Sequence, residues 1–209
     1  MPGFYERRVF PWLNDKLANT PEVKRLREEA LSPARGLVIE IGFGSGANLQ
    51  HYPAAVESIV AIDPNPGMHD RAAAPVKASR IPVTLLVGHA ESLPVPDATL
   101  DTAVSTLTLC SVSNPARVVS ELHRVLNEQG RLIVLEHGRA DDPRVARWQD
   151  RLNGFNNVVA CGCNLNRPVR ATVEGGGFRF ESIRSFFLPS APRPMGWFTL
   201  GVAAKVPRN

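Results

Sequence analysis

Three glycines at alternate positions, Gly42, Gly44 and Gly46, follow the apolar run LVIEI and lead into ANLQHYP. Glycines there permit a tight turn and let backbone N–H groups approach a ligand at the carboxyl end of a strand, the place where open α/β sheets bind. Counted as Gly42, Gly44 and Ala47, with Asp63 about 20 residues further on, the same letters satisfy a dinucleotide fingerprint. Spacing alone therefore leaves NAD and S-adenosylmethionine both open. Glu40 bears on the choice. A pyrophosphate seeks the positive end of a helix with no anion beside it, whereas a carboxylate two residues before the first glycine suits a sulfonium and an ammonium group. Asp63 by itself also reads as a helix cap; together with the glycine turn it favours a ribose contact.

A second set of residues lies downstream. His137 follows an apolar strand in LEHGR, where its position would direct it toward an acceptor pocket, and its side chain titrates nearest neutral pH. A hydrogen bond that anchors a lid accounts for it equally well. Asn164 and Arg167, in CGCNLNR, either close a pocket over an acceptor or cap the next helix; Asn166, just before Arg167 and Pro168, reads as the cap. Cys161 and Cys163 form a C-x-C without a second pair at zinc spacing, so they read as a structural pair in a turn and no metal is expected. Cys110 sits in an apolar run and reads as packing. His89 reads as a hydrogen-bonded or solvent-facing residue, and Tyr5, Phe10 and Trp12 as an apolar lid or as the packing face of a first helix.

The elements that must position these residues are legible as apolar runs separated by helical patterns: LVIEI, SIVAID, VTLLVG, DTAVST and RLIVLE. That alternation implies βαβ units and a parallel sheet covered on both faces. PARVVSELHRVLNEQG is the plainest helix, with Pro115 at its start, Val118, Val119, Leu122, Val125 and Leu126 on one face, and Gly130 at its end. A polar helix near 141–155, a turn, a helix near 167–175 and two late strands, FRFESIRSFFL and MGWFTLGVAAK, complete the pattern, the last two spaced to pair antiparallel. The expected fold is a Rossmann-like α/β domain over 1–209, with a seven-strand, mostly parallel sheet. It divides into an N-terminal helical lid (1–35) over the sheet's carboxyl edge, a cofactor-binding core (36–137), and an acceptor-side lid with the C-terminal strands (138–209).

Composition narrows the partners. A net charge of +4 is spread through the chain without a basic block, so no nucleic-acid partner is indicated. No apolar run approaches the 18 to 20 or so residues of a membrane span and the charged start does not suit a signal peptide, so a cytoplasmic protein with reduced thiols is expected. The first 30 residues leave peripheral membrane contact open.

Six segments taken together, EIGFGSGANLQHYP, AIDPNPGM, GHAESLPVPDATLD, STLTLCSVSNP, LHRVLNEQGRLIVLEHGR and CGCNLNR, resemble the class I S-adenosylmethionine-dependent methyltransferases with a type 11 domain. More narrowly they resemble a bacterial branch akin to the animal thiol S-methyltransferases, over nearly the whole chain. The resemblance implies that Gly42, Gly44 and Gly46 pass beneath the methionine part of the cofactor, with Glu40, Asn48 and Tyr5 helping to place it. It implies Asp63 on the ribose hydroxyls, Pro64 and Met68 beside the adenine, and His89, Ala90 and Glu91 along its edge. Many relatives carry an acid where His89 stands. Ser105, Thr106 and Leu107 would approach the sulfonium. The implied reaction is methyl transfer to a small-molecule acceptor, with a thiol favoured and His137, Asn164 and Arg167 on the acceptor side. A thiol ionises near pH 8.5 and needs less help than an alcohol. Phospholipid or small-molecule amine and oxygen acceptors are the alternatives; an NAD-dependent oxidoreductase or a nucleotide-binding module is the rival of a different class. Nucleobase methylation is disfavoured because STLTLCS stands where an N/D-P-P-Y/F stretch would be.

Overall fold

A computed structural model describes residues 19–207. Seven strands form one sheet: β1 (Gly36–Ile41), β2 (Val56–Asp63), β3 (Val83–Val87), β4 (Leu100–Thr106), β5 (Leu126–His137), β6 (Phe178–Phe187) and β7 (Trp197–Lys205), in the spatial order 3-2-1-4-5-7-6. The first five run parallel, and β7 enters antiparallel between β5 and β6. Chain order therefore reverses direction between β1 and β4, and the crevice at that reversal is where a ligand is expected.

Five α-helices flank the sheet: α1 (Pro21–Leu31), α2 (Pro66–Ala78), α3 (Pro115–Val125), α4 (Pro143–Val159) and α5 (Val169–Gly175). Four of them start on a proline in the first turn behind a polar cap. Thr20, Asn65, Asn114 and Asp142 accept hydrogen bonds from the N–H groups of Val23, Gly67, Arg117 and Arg144 respectively.

The apolar stripe of α3, Val118, Val119, Leu122 and Val125, packs with Leu132 and Val134 of β5 and with Val173 of α5 on one face. On the other face Val23, Leu26 and Leu31 of α1 and Ala72 of α2 pack on Val38, Ile59, Val104 and Ile133. Truncating fully buried Leu122 to Ala should cost about 2–5 kcal/mol through the cavity it leaves.

Three expectations are corrected. The third helix ends at Val125 instead of running to Gly130, because the buried Leu126 turns extended and pairs with Leu100. Of the segment before residue 36, the described helix α1 lies on a face of the sheet and not over its carboxyl edge, since its apolar side is needed to cover β1, β4 and β5. Asn166 caps nothing: its Nδ2 donates to Asp150 Oδ1 at 2.9 Å, and Pro168 stands at the start of α5 with no side-chain cap. Tyr5, Phe10 and Trp12 lie outside the described residues.

Candidate active site

Gly42, Gly44 and Gly46 all take left-handed backbone angles, with φ of +63°, +60° and +79°. At Gly42 a Cβ would fall inside the Thr108 side chain, so glycine is required by space as well as by conformation. At Gly44 a Cβ would meet nothing nearer than the Gly42 carbonyl at 3.8 Å. The turn is held by Asp63 at the end of the neighbouring strand, whose Oδ2 accepts from Gly44 N–H at 2.9 Å and Oδ1 from Asn65 N–H at 2.8 Å. Burial pushes the Asp63 carboxyl up, and the two N–H donors and His69 oppose that shift. Each of its oxygens keeps a second lone pair.

A cavity of about 540 Å³ opens above this turn, lined by Gly42, Gly44, Asp63, Pro64, Met68, His89, Ala90 and Glu91 on one side. Its other wall is Leu107, Thr108, Ser111, Val112, Ser113 and Cys161. A larger groove of about 970 Å³ touches the turn at Ser45–Ala47 and runs out to Pro75–Ile81. That groove lacks Asp63 and the end of β4, so the smaller cavity at the sheet's reversal is the better candidate. The Glu91 carboxylate accepts from Ser113 and Asn114 N–H, which ties the loop after β3 to the loop after β4. Arg124 holds the former from below, donating to the carbonyls of Leu93 and Val95 and pairing with Glu121 and Asp97.

Ser105 and Thr106 are placed differently from their expected position. They are the last two residues of β4, and their hydroxyls turn into buried networks away from the cavity; only Leu107, at φ +55°, lines it. Ser105 Oγ donates to Glu136 Oε1 at 2.6 Å, and the N–H groups of Thr108 and Leu109 donate to the same oxygen. Glu136 thus moulds the loop after β4. Sequence reasoning passed over it, although it directly precedes His137. Its Oε2 is buried without a hydrogen-bond partner among the described residues, and burial raises its pKa against the pull of the Ser105, Thr108 and Leu109 hydrogen bonds.

Glu40 and Asn48 also stand behind the cavity wall. Glu40 Oε1 accepts from Asn48 Nδ2 at 2.8 Å and Oε2 from Tyr52 OH at 2.7 Å; Asn48 Nδ2 also donates to Thr106 Oγ1, and Asn48 Oδ1 accepts from Arg27 Nη1 at 2.7 Å. Burial lifts the Glu40 pKa to about 7 against the pull of Tyr52, Arg27 and Asn48. Arg27 stands in no motif, and Tyr52, although it lies within EIGFGSGANLQHYP, has no role assigned by spacing. The network braces the glycine turn from inside the protein.

On the acceptor side, CGCNLNR folds against the loop after β4. Asn164 donates twice to the Cys110 carbonyl, from its backbone N–H at 2.8 Å and from Nδ2 at 3.0 Å. Arg167 Nη2 donates to the Val112 carbonyl at 3.0 Å. Neither residue lines the cavity. Cys161 and Cys163 do not pair: Cys161 reaches the cavity wall, while Cys163 Sγ lies 3.9 Å from Cys110 Sγ and 2.9 Å from His137 Nε2.

The sulfur of Cys110 and then burial push the Cys163 thiol well above its ordinary value, with His137 opposing. Burial would lower His137, and the Cys163 sulfur and Glu136 outweigh it upward.

Two comparisons with known proteins bear on this geometry. A family profile described as a methyltransferase domain matches residues 39–134, the stretch from β1 through β5 that supplies every lining residue of the cavity named above except Cys161. Phosphatidylethanolamine N-methyltransferase of Cereibacter sphaeroides is 34% identical over 154 residues, covering 72% of this chain and 74% of that protein. The chain belongs to the S-adenosylmethionine-dependent methyltransferases.

This methyltransferase is also 29% identical over 168 residues to thiol S-methyltransferase TMT1B of Rattus norvegicus, covering 78% of this chain and 66% of that protein. A solved S-adenosylmethionine-dependent methyltransferase of Thermotoga maritima, titled a possible histamine N-methyltransferase, superposes with a TM-score of 0.70 at 22% identity, covering 96% and 98% of the two chains, and so shares the fold. S-adenosylmethionine is the cofactor, and the cavity fits it: two of its floor glycines hold positive φ, and about 540 Å³ is ample for a ligand of that size. Among the described residues no helix is long and apolar enough to cross a membrane.

Proposed function

We propose that this methyltransferase acts on a small thiol. The observation that carries the proposal is the wall formed by Leu107, Thr108, Ser111, Val112, Ser113 and Cys161, which among the described residues presents no carboxylate and no imidazole. An alcohol or a phenol brought there would meet no general base, whereas a thiol with a pKa near 8.5 supplies its own thiolate at neutral pH. The likeness to a thiol S-methyltransferase supports the same acceptor.

Gly42, Gly44, Asp63, Pro64, Met68, His89 and Ala90 would hold the cofactor, which when bound supplies a methyl group activated by a positive sulfur. The chain's own task is to align the acceptor sulfur about 3 Å from that methyl and to exclude water. One sulfur–carbon bond forms as another breaks in line, and the thiol proton has already gone to solvent. His137, Asn164 and Arg167 act one step removed, by fixing the loop Leu107–Val112 that presents the acceptor.

A second acceptor class, a phospholipid amine, is favoured by one observation. The outer side of α4 exposes Trp148, Phe155, Val158 and Val159 beside Arg144, Arg147 and Arg151, a face suited to an anionic lipid surface.

Turnover with S-adenosylmethionine and a panel of small thiols, amines, phenols and phosphatidylethanolamine vesicles, read by mass spectrometry, separates these. A methyl thioether that disappears in Asp63→Ala is the expected product. An N-methylated lipid with no thioether would replace the first acceptor by the second.

A further inference from the structure

We propose that Cys110, His137 and Cys163 form a binding site for a thiophilic divalent cation, with Zn2+ the best fit. The three ligand atoms, two Sγ and one Nε2, all lie within 4.8 Å of one another. They come from three separate segments: the loop after β4, the end of β5 and the turn after α4. In the sequence they are 27 and 26 residues apart, so no motif spacing announces them.

The geometry matches a tetrahedral centre. Two thiolates at about 2.3 Å from zinc stand about 3.8 Å apart, and the observed Sγ···Sγ separation is 3.9 Å. A thiolate and an imidazole on the same ion stand about 3.5 Å apart, so His137 Nε2, now 2.9 Å from Cys163 Sγ, has to retreat by only about 0.6 Å. Retreat opens the space that an ion would fill.

The scaffold is already set. Cys110 is fixed to the lid by the two hydrogen bonds from Asn164 to its carbonyl, and the Cys163 carbonyl accepts from Asn156 Nδ2 at 2.8 Å. Preorganised ligands bind metal without a folding cost. Access is also present, since His137 and Cys163 are half-buried while Cys110 is covered. Binding displaces the two thiol protons to solvent and leaves a Cys2His centre that is neutral overall. This ligand set is one found in zinc enzymes that keep a fourth position open.

The site stands apart from the acceptor proposal, because it is read by metal binding and not by turnover. Reduced protein stripped with a chelator is titrated with Zn2+ against a chromophoric chelator. One equivalent should bind, protect Cys110 and Cys163 from alkylation, and leave Cys161 reactive as it was. Cys110→Ser and Cys163→Ser should each weaken binding by at least about 100-fold, and Cys161→Ser by less than about twofold.

Because a variant may misfold, Co2+ is added to the unaltered protein as a second measurement. Thiolate-to-cobalt charge-transfer absorption with the intense visible bands of a tetrahedral ion is expected. Binding well below one equivalent, wild-type affinity in both serine variants, a Cys110–Cys163 disulfide that forms regardless of Zn2+, or a weak octahedral cobalt spectrum would each overturn the proposal.

Discussion

The two walls of the cavity are built by different means. On the cofactor side, backbone does the work: positive-φ glycines turn the chain, and one carboxylate, Asp63, gathers two N–H groups from either side of it. On the acceptor side, amide side chains stitch distant segments together, with Asn153, Asn156, Asn157 and Asn164 joining α4 to the turn that follows it and Asn164 reaching on to the loop after β4. A backbone-built wall tolerates little change in residue type. One stitched by side chains can be recut without refolding the sheet, which is how one fold serves many acceptors.

The largest test of that contrast is Gly42→Ala. Its Cβ must displace Thr108 while holding an unfavourable φ, so a loss above about 3 kcal/mol in chemical denaturation and no measurable cofactor binding are expected. Gly44→Ala has room for its Cβ and carries only the conformational penalty, about 1 kcal/mol. Equal losses in the two variants would show that φ alone, and not the fit against Thr108, governs the turn.

The buried carboxylate behind the turn gives a pH signature. Glu40 is raised from its ordinary value near 4.5 to about 7, so the folded state holds a proton that the unfolded state has released. That contribution is complete below about pH 4.5 and is lost as pH rises through 7, a span of up to about 3 kcal/mol. Stability measured from pH 4.5 to 8 should carry this falling component, and Glu40→Gln should flatten it. An unchanged profile in the variant would place the titration elsewhere.

Asn164→Ala tests the other wall. It removes the side-chain half of the fastening to Cys110 and should cost about 1–2 kcal/mol, with acceptor KM raised and cofactor affinity changed less than about threefold. A cofactor affinity that falls in step would mean that the two walls are not separable. Glu174→Gln is the control on the same half. It removes an exposed i,i+4 ion pair with Arg170, and no more than about 0.5 kcal/mol should change.

What the sequence disclosed follows the same division. Alternating apolar runs and the glycine turn are local signals, so the strands, the sheet's class and the backbone-built wall were all legible from spacing. The Leu126 correction came from a long-range pairing with Leu100, which helical periodicity cannot register. The network of Arg27, Asn48, Tyr52 and Glu40 and the meeting of Cys110 with Cys163 are contacts across 8 to 53 residues between types with many other uses. Sequence spacing joins Cys163 to Cys161, because neighbours along the chain are the only neighbours that spacing shows. The fold separated them, turning one to the cavity and the other to His137.

The position of β7 has a consequence for how the chain assembles. It is the last strand in order, yet it lies inside the sheet, where every ladder bond of β6 and the outer ladder of β5 depend on it. During synthesis β6 emerges with no strand to pair with, and β5 presents a bare edge until Trp197–Lys205 arrive. The interval exposes two templates for wrong pairing at once, Phe178–Phe187 and Leu126–His137. Completion of the sheet therefore waits on a long-range pairing, since β7 covers the edge of β5 and supplies the partner of β6 together.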